Sequence, residues 1–423
     1  MLDINRLRND FNNVAKRIKS RNKEFPALEQ FKTLDEHWRK ITTEIQVLNA
    51  ERNALTEQVA KLMKDKQNTE ANSIKTKVQH IKSEVSKLEL QIKDIDKDLD
   101  LVLHSIPNVP HESVQIGKDE KDNVEIRKWG KTTKFDFPSL SHWEIAEKKD
   151  LVDFQRATKI SGARFTIYRG NGAKLIRALQ SFTLDVNTRA GFLEMLPPVI
   201  LNAETLIGTG QLPKFEEDLF KLTNNKYLSP TAEVQLTSFY GNEILSEEKL
   251  PIWLTANTAC FRSEAGSAGK DTKGVIRQHQ FYKTEMVMIT KPEESYSSLE
   301  KMVANAESIL QKLNLPYRTI LLCTGDQGFS AAKTYDIEVW LPSYDAYKEI
   351  SSCSNCEDFQ ARNLMLRYKD EKTNKNIYPH TLNGSGLAID RLWAAVVENY
   401  QQKDGTIKLP EALKKYFDNK EFI

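Results

Sequence analysis

An α+β fold preceded by a long antiparallel helical hairpin is what this sequence predicts, and three observations predict it. Apolar side chains recur at alternating steps of four and three from Leu34 to Leu62 and again from Ile74 to Val102, the spacing of a heptad seam. Beyond about residue 130, short apolar or alternating runs outnumber helical stretches and many lie beside turn residues, the pattern of a mixed, mainly antiparallel sheet flanked by helices. With 423 residues, 39% of them hydrophobic and 28% charged, the chain can bury one large core and carry a smaller appendage.

The first seam runs through Leu34, Trp38, Ile41, Ile45, Leu48, Arg52, Leu55, Val59 and Leu62, with one polar interruption. A polar break, DKQNTEANS at 65–73, separates it from Ile74, Val78, Ile81, Val85, Leu88, Ile92, Ile95, Leu99 and Val102. Two equal seams joined by a turn make a hairpin, and at 1.5 Å per residue each spans roughly 42 Å, so the hairpin should project as an arm. Pro107 and Pro110 end the second helix, because proline cannot extend the hydrogen-bond ladder. The expected organisation is a helical arm over 1–105, a linker over 106–130 and a sheet domain over 131–423. In that domain FLEML, KYLSP, IWLTA, FYKTEMVMI, TYDIEVWLP and AYKEISSC read as strands, and GAKLIRALQSFTLDV and SYSSLEKMVANAESILQKL as helices.

Lys and Arg total 61 against 59 acids, a formal net charge of +2, so the overall balance carries no strong nucleic-acid signal and any basic surface must be local. Residues 31–103 are balanced, 13 basic against 13 acidic, while residues 1–30 hold a basic excess. No apolar stretch approaches the ~20 residues of a membrane helix, and MLDINRLRND mixes both signs of charge; neither signal peptide nor anchor is expected, and the chain reads as cytoplasmic. Four cysteines are too few for a disulfide scaffold. Cys353-x-x-Cys356 offers two metal ligands and Cys260 and Cys323 add no second pair of that spacing, so free thiols and no zinc are expected.

The densest polar cluster is TACFRSEAGSAGKDTKGVIRQHQFYKTEM, 258–286, where one strand pattern meets a glycine-rich loop and returns as another. Arg262 could clamp a phosphate, since its planar fork matches phosphate oxygens. Glu264, Arg277, Phe281 and Glu285 add carboxylates, a second cation and a stacking face. The bland reading is a charged surface hairpin, and it weakens as the constellation grows. GSAGKDT lacks the first glycine of a P-loop, and GSGLAI at 384–389 is only a weak dinucleotide match.

FRSEAGSAGKDTKGVIRQHQF resembles motif two of the class II aminoacyl-tRNA synthetases in its seryl form, and GSGLAIDR at 384–391 resembles motif three, ending on Arg391. AGFLEMLPPVI at 190–200 is similar to motif one, with Pro197 or Pro198 as its proline. SGARF at 161–165, GTGQLPKF at 208–215, SPTAE at 229–233, EISSCSNCEDFQAR at 349–362 and TLNGSG at 381–386 are seryl-like too. The resemblance, to the bacterial-type seryl-tRNA synthetases, covers nearly the whole chain. Asp390 stands where that family more often has glycine, and Gln115 where it commonly has proline.

The resemblance implies a class II catalytic domain that activates serine with ATP and passes it to the 3′ end of serine tRNA; a selenocysteine tRNA as second acceptor is left open. It implies catalytic roles for Arg262, Arg391 and Glu349, and an ATP site of Arg262, Ser263, Glu264, Arg277, Phe281, Glu349, Ile350, Ser351, Ser352 and Arg391. Glu349 and Ser352 would ligate magnesium, a hard cation that prefers oxygen. Thr231, Ala232, Glu233, Glu285, Asn383 and Ser385 would bind serine, with Gln235, His279 and Lys283 left as supporting residues. Taken singly, Glu349 is also an ordinary strand carboxylate, Ser385 a loop hydroxyl and Thr231 a helix cap. The arm would grip serine tRNA through phosphates and shape, against the plainer reading of a coiled-coil spacer, and motif one would form a homodimer. Competing readings are a class II relative that activates another small amino acid or loads a carrier protein, and a silent tRNA-holding paralogue; no HIGH-like or KMSKS-like segment points to class I.

Overall fold

The computed structural model describes residues 1–265 and 273–423; the segment compared above with a P-loop, 266–272, lies outside the described residues. The chain divides into two compact units, Met1–Lys23 with Pro107–Ile423, and Glu24–Ile106.

The large unit begins with helix α1, Ile4–Lys19, capped where the Asp3 carboxylate accepts from Asn5 N at 2.8 Å and burying Leu7, Val14 and Ile18. Two arginines hold this end of the chain to the segment after the hairpin. Arg17 donates to the carbonyls of Pro110 at 3.0 Å and Val114 at 2.8 Å. Arg21, 3% exposed, donates to the carbonyls of Asn108, Gln327, Gly328 and Ala331. A buried cation needs such acceptors, and burial lowers the Arg21 pKa to about 10.

The small unit is the hairpin of α2, Pro26–Lys64, and α3, Asn68–Ser105. Proline at the first turn of α2 loses no intrahelical bond. Ile41 of the first seam and Ile81, Val85, Ile95 and Leu99 of the second are buried, and Trp38 Nε1 crosses to Asp96 at 2.9 Å. The second helix starts at Asn68, before the first seam residue, because the polar run NTEANS is compatible with helix and tucks Ala71 fully inside.

An eight-stranded sheet organises the large unit: β1 Val124–Trp129, β2 Leu193–Glu194, β3 Ile252–Phe261, β4 Gln280–Thr290, β5 Tyr317–Leu321, β6 Lys333–Leu341, β7 Ala346–Asn355 and β8 His380–Ala388, in the order β1-β5-β6-β7-β8-β4-β3-β2. Every neighbouring pair is antiparallel except β2 with β3. The stretch read from sequence as the end of the linker therefore supplies an edge strand. Helices α4 Gly170–Arg189, α5 Ser295–Lys312 and α6 Ile389–Asn399 share one core with the sheet. Along β4, Met286 and Met288 pack into that core with Leu179, Met302 and Trp393, whereas Val287 and Ile289 pack with Leu236, Leu245 and Leu254 on the opposite side. A strand covered on both faces reads as an unbroken apolar run, here MVMI. Gly384 leaves no room for a side chain: a Cβ would lie 2.7 Å from Cys353 Sγ and 2.8 Å from Met302 Sδ. Among the described residues no helix is long and apolar enough to cross a membrane.

Candidate active site

The middle of the sheet carries the cleft. On β4 the period of two puts Phe281, Lys283 and Glu285 on one face, and all three line it. Cross-strand pairing sets Ser385 of β8 opposite Glu285, and Asn383 opposite Val287; Asn383 and Ser385 line the same cleft. Arg262 follows the last residue of β3, which pairs with Gln280 at the start of β4, and its guanidinium lies 5.4 Å from the centre of the Phe281 ring. Its Nε donates to Pro230 O at 3.3 Å. Arg277, on the returning limb of the loop, donates to Glu264 at 2.6 Å.

Glu349 and Ser352 are three residues apart, which in a regular strand would set them on opposite faces. The β6–β7 register slips by one residue between the pairs Ile337–Ser351 and Glu338–Glu349, a β-bulge that turns both side chains into the cleft. Arg391, in the first turn of α6, donates through Nη1 to Glu349 O at 2.6 Å and through Nε to Ile276 O at 3.2 Å, with the Glu349 carboxylate 3.4 Å away. That cation holds the Glu349 carboxyl below the usual carboxylate range. Across the ladder from Ser352 lies Asp336, whose Oδ1 is buried with no hydrogen-bond partner among the described residues; burial, then the Glu349 charge, raises its pKa. Glu349 and Ser352, both in the cleft, offer the hard oxygen donors that a magnesium ion would select. No group of three or more His, Cys, Asp or Glu able to hold a metal gathers among the described residues, so an ion here would lean on the nucleotide.

At the other end of the cleft, Glu285, 1% exposed, accepts from Thr231 Oγ1 at 3.0 Å and pairs with Lys283 Nζ at 2.5 Å. Glu233 opens a short helix, Glu233–Ser238, and accepts from Gln360 Nε2 at 2.8 Å. Burial, then the charge of Glu285, pushes the Glu233 pKa up to about 7. Two carboxyls close enough for the charge of one to raise the pKa of the other suit an ammonium ion.

Three of the residues named from sequence turn away from the cleft. Ser351 donates to Ser385 O at 2.6 Å, Ser263 donates to Glu217 O at 2.5 Å, and Ala232 packs in the apolar cluster with Leu236 and Leu254. Ile350 lines the cleft. Gln235 donates to Pro198 O and accepts from Ser229, while His279 Nδ1 lies 3.0 Å from Arg262 O, positions of support. Lys283 stands instead inside the cleft, and the signal that marks it is the period of two between Phe281 and Glu285. Gln360 had no local signal, since its partner Glu233 is 127 residues away. The four cysteines are buried free thiols, with Cys353 pushed up to about 12 by burial.

A sheet that presents an arginine at the end of one strand, an aromatic ring on the next and a second arginine where the following helix begins is the core of a class II aminoacyl-tRNA synthetase, and residues 214–400 match the family model described as tRNA synthetase class II core domain (G, H, P, S and T). Residues 1–110 match the seryl-tRNA synthetase N-terminal domain. The chain belongs to the seryl-tRNA synthetase family and is an ATP-dependent aminoacyl-tRNA ligase. It is 55% identical over 417 residues to a serine–tRNA ligase of Malacoplasma penetrans, covering 98% of each chain, and 51% identical over 418 residues to that of Carboxydothermus hydrogenoformans, again covering 98% of each. Among solved structures it is similar to the seryl-tRNA synthetase of Pyrococcus horikoshii complexed with ATP, with a TM-score of 0.95, 36% identity and coverage of 100% of this chain and 99% of that one.

Proposed function

We propose that the chain activates L-serine with ATP to seryl-adenylate and transfers the seryl group to the 3′ end of serine tRNA, as a cytoplasmic homodimer. The observation that carries this reading is the continuity of the cleft: a phosphate-binding half built on Arg262 and Arg391 runs into a serine half built on Thr231, Glu233 and Glu285. The serine carboxylate attacks the α-phosphorus, the bond to the pyrophosphate leaving group breaks, and a terminal ribose hydroxyl then takes the seryl group as AMP departs. Neither step needs a covalent enzyme intermediate, so positioning and charge neutralisation carry the rate.

Arg262 neutralises the α-phosphate and Arg391 the far phosphates, Phe281 stacks on adenine, and Glu264, held by Arg277, orients the base. Magnesium on Glu349 and Ser352 would supply charge neutralisation of the phosphates. Thr231, Glu233 and Glu285 hold the ammonium group, and Asn383 and Ser385 meet the serine hydroxyl. A site that hydrogen-bonds a hydroxyl rejects alanine because its own polar groups would stay unpaired. The helical region 1–105 holds the tRNA through its phosphates.

Serine-dependent ATP–pyrophosphate exchange with magnesium and no tRNA tests the first step. Exchange with serine and not with threonine, alanine, cysteine or glycine is the expected result; exchange with another amino acid would overturn the substrate. The second copy is supported by apolar exposure at the motif-one-like segment: Leu193, Leu196 and Ile200 are 60%, 93% and 51% exposed, next to the sheet's edge strand β2, a combination that invites burial. Leu196→Glu is expected to give monomers by light scattering at micromolar concentration where the unaltered chain gives dimers; a monomeric unaltered chain would defeat the dimer.

A further inference from the structure

We infer that Asp390 is a positioning residue for nucleotide binding: its carboxylate clamps the strand bearing Phe281 to the helix bearing Arg391. This inference rests on the ATP reading of the cleft. Asp390 is 3% exposed and collects three donors from two separate segments. Tyr168 Oη, in the short strand Ile167–Tyr168, donates to Oδ1 at 2.5 Å; Gln278 Nε2 donates to the same oxygen at 2.9 Å; Tyr282 N donates to Oδ2 at 2.6 Å. A carboxylate is the side chain that accepts all three, and charge-assisted bonds of this kind are the strong ones.

The consequence lies in what these donors flank. Gln278 and Tyr282 bracket Phe281, whose ring sits under the Arg262 guanidinium at 5.4 Å. The next residue after Asp390 is Arg391, whose Nε grips Ile276 O at 3.2 Å and whose Nη1 grips Glu349 O at 2.6 Å. Two consecutive side chains of α6 thus hold residues 276, 278 and 282 from one helical turn, and they fix the distance between the aromatic face and the second arginine. Burial raises the Asp390 pKa to about 6, which leaves the carboxylate ionised at neutral pH. Asp390 borders the cleft, but it is buried and both of its carboxylate oxygens are taken by protein donors, so its influence on ATP runs through Phe281 and Arg391. The serine half of the cleft, on Thr231, Glu233 and Glu285, receives none of these bonds.

Asp390→Asn keeps the volume but leaves one acceptor oxygen and brings an amide donor against Tyr282 N or the Tyr168–Gln278 pair. Its expected signature is a split: KM for ATP up by about tenfold, the worth of a lost charge-assisted bond, with KM for serine within about twofold and the melting temperature within a few degrees. Tyr168→Phe should shift KM for ATP the same way by a smaller factor, and the double variant should add little to Asp390→Asn, as expected of one network. Calorimetric titration with magnesium and ATP, without serine, should show the same weakening. Equal ATP affinity in Asp390→Asn and the unaltered protein would overturn the inference, as would a parallel rise of both KM values. Absence of serine-dependent exchange in unaltered protein that binds ATP would overturn the proposed function instead, and the titration would still decide the role of Asp390.

Discussion

Arg262→Ala is expected to lower kcat/KM for ATP in serine-dependent pyrophosphate exchange by about a thousandfold, the scale of removing a cation aimed at a transferring phosphoryl group. The Nε of Arg262 is committed to Pro230 O at 3.3 Å, and among the described residues no hydrogen bond runs from its terminal nitrogens to protein. Those two nitrogens are what remains to grip phosphate oxygens as charge develops. Arg262→Lys keeps the charge but loses the planar fork and the Nε anchor, so it should recover only part of the rate, about tenfold over the alanine variant. Folding should survive both changes, because loss of the cation over Phe281 costs only about 0.5–1 kcal/mol at such a site. Steady-state exchange at saturating serine, with circular dichroism to confirm the fold, measures the effect. Activity of Arg262→Ala within tenfold of the unaltered protein would remove this residue from the phosphate site.

Much of this candidate cleft is legible in the sequence, and the parts that are not share a cause. Phe281 and Glu285 are legible because they lie on the returning strand of the polar cluster 258–286, and Arg391 only through the resemblance of GSGLAIDR to motif three. The glycine at 384 is explained by the thiol of Cys353 that lies beside it, a contact no local pattern encodes. Lys283 follows the strand period too, yet a lysine close to a carboxylate is so common on surfaces that its place in the cleft emerges only from the fold. Glu349 and Ser352 share a face through a one-residue bulge at Ile350, and nothing in AYKEISSC announces a bulge. Partners distant in sequence, Gln360 on Glu233 and Tyr168 on Asp390, are products of topology. The same holds for α1: its apolar residues are legible as a helix face, whereas Arg21, just beyond it, reaching four backbone carbonyls, and so tying this end of the chain to the rest of the large unit, is a three-dimensional fact.

Glu233→Gln should raise KM for serine by about a hundredfold, as loss of one member of a desolvated charge pair does, and should also flatten its pH dependence. Burial and the neighbouring charge of Glu285 push Glu233 up to about 7, while an amino acid's ammonium keeps its charge through this range. Serine binding needs the carboxylate, so KM for serine in the unaltered enzyme should climb as pH falls below about 7, approaching tenfold per unit. The stability sign is the reverse. A carboxyl whose folded pKa lies above its unfolded value binds its proton more tightly in the folded state; its contribution is fully present below the unfolded pKa of about 4.3 and is lost as pH rises through about 7. The serine-free protein therefore gives up stability at pH 8 to keep a charged carboxylate ready for the ammonium. Glu233→Gln, which retains an acceptor for Gln360, should melt at a higher temperature than the unaltered protein at pH 8 and show no such gain at pH 5. The two profiles test the role together: a pH-dependent KM for serine that persists in Glu233→Gln would assign the titration to Glu285 or another group and take the ammonium away from Glu233.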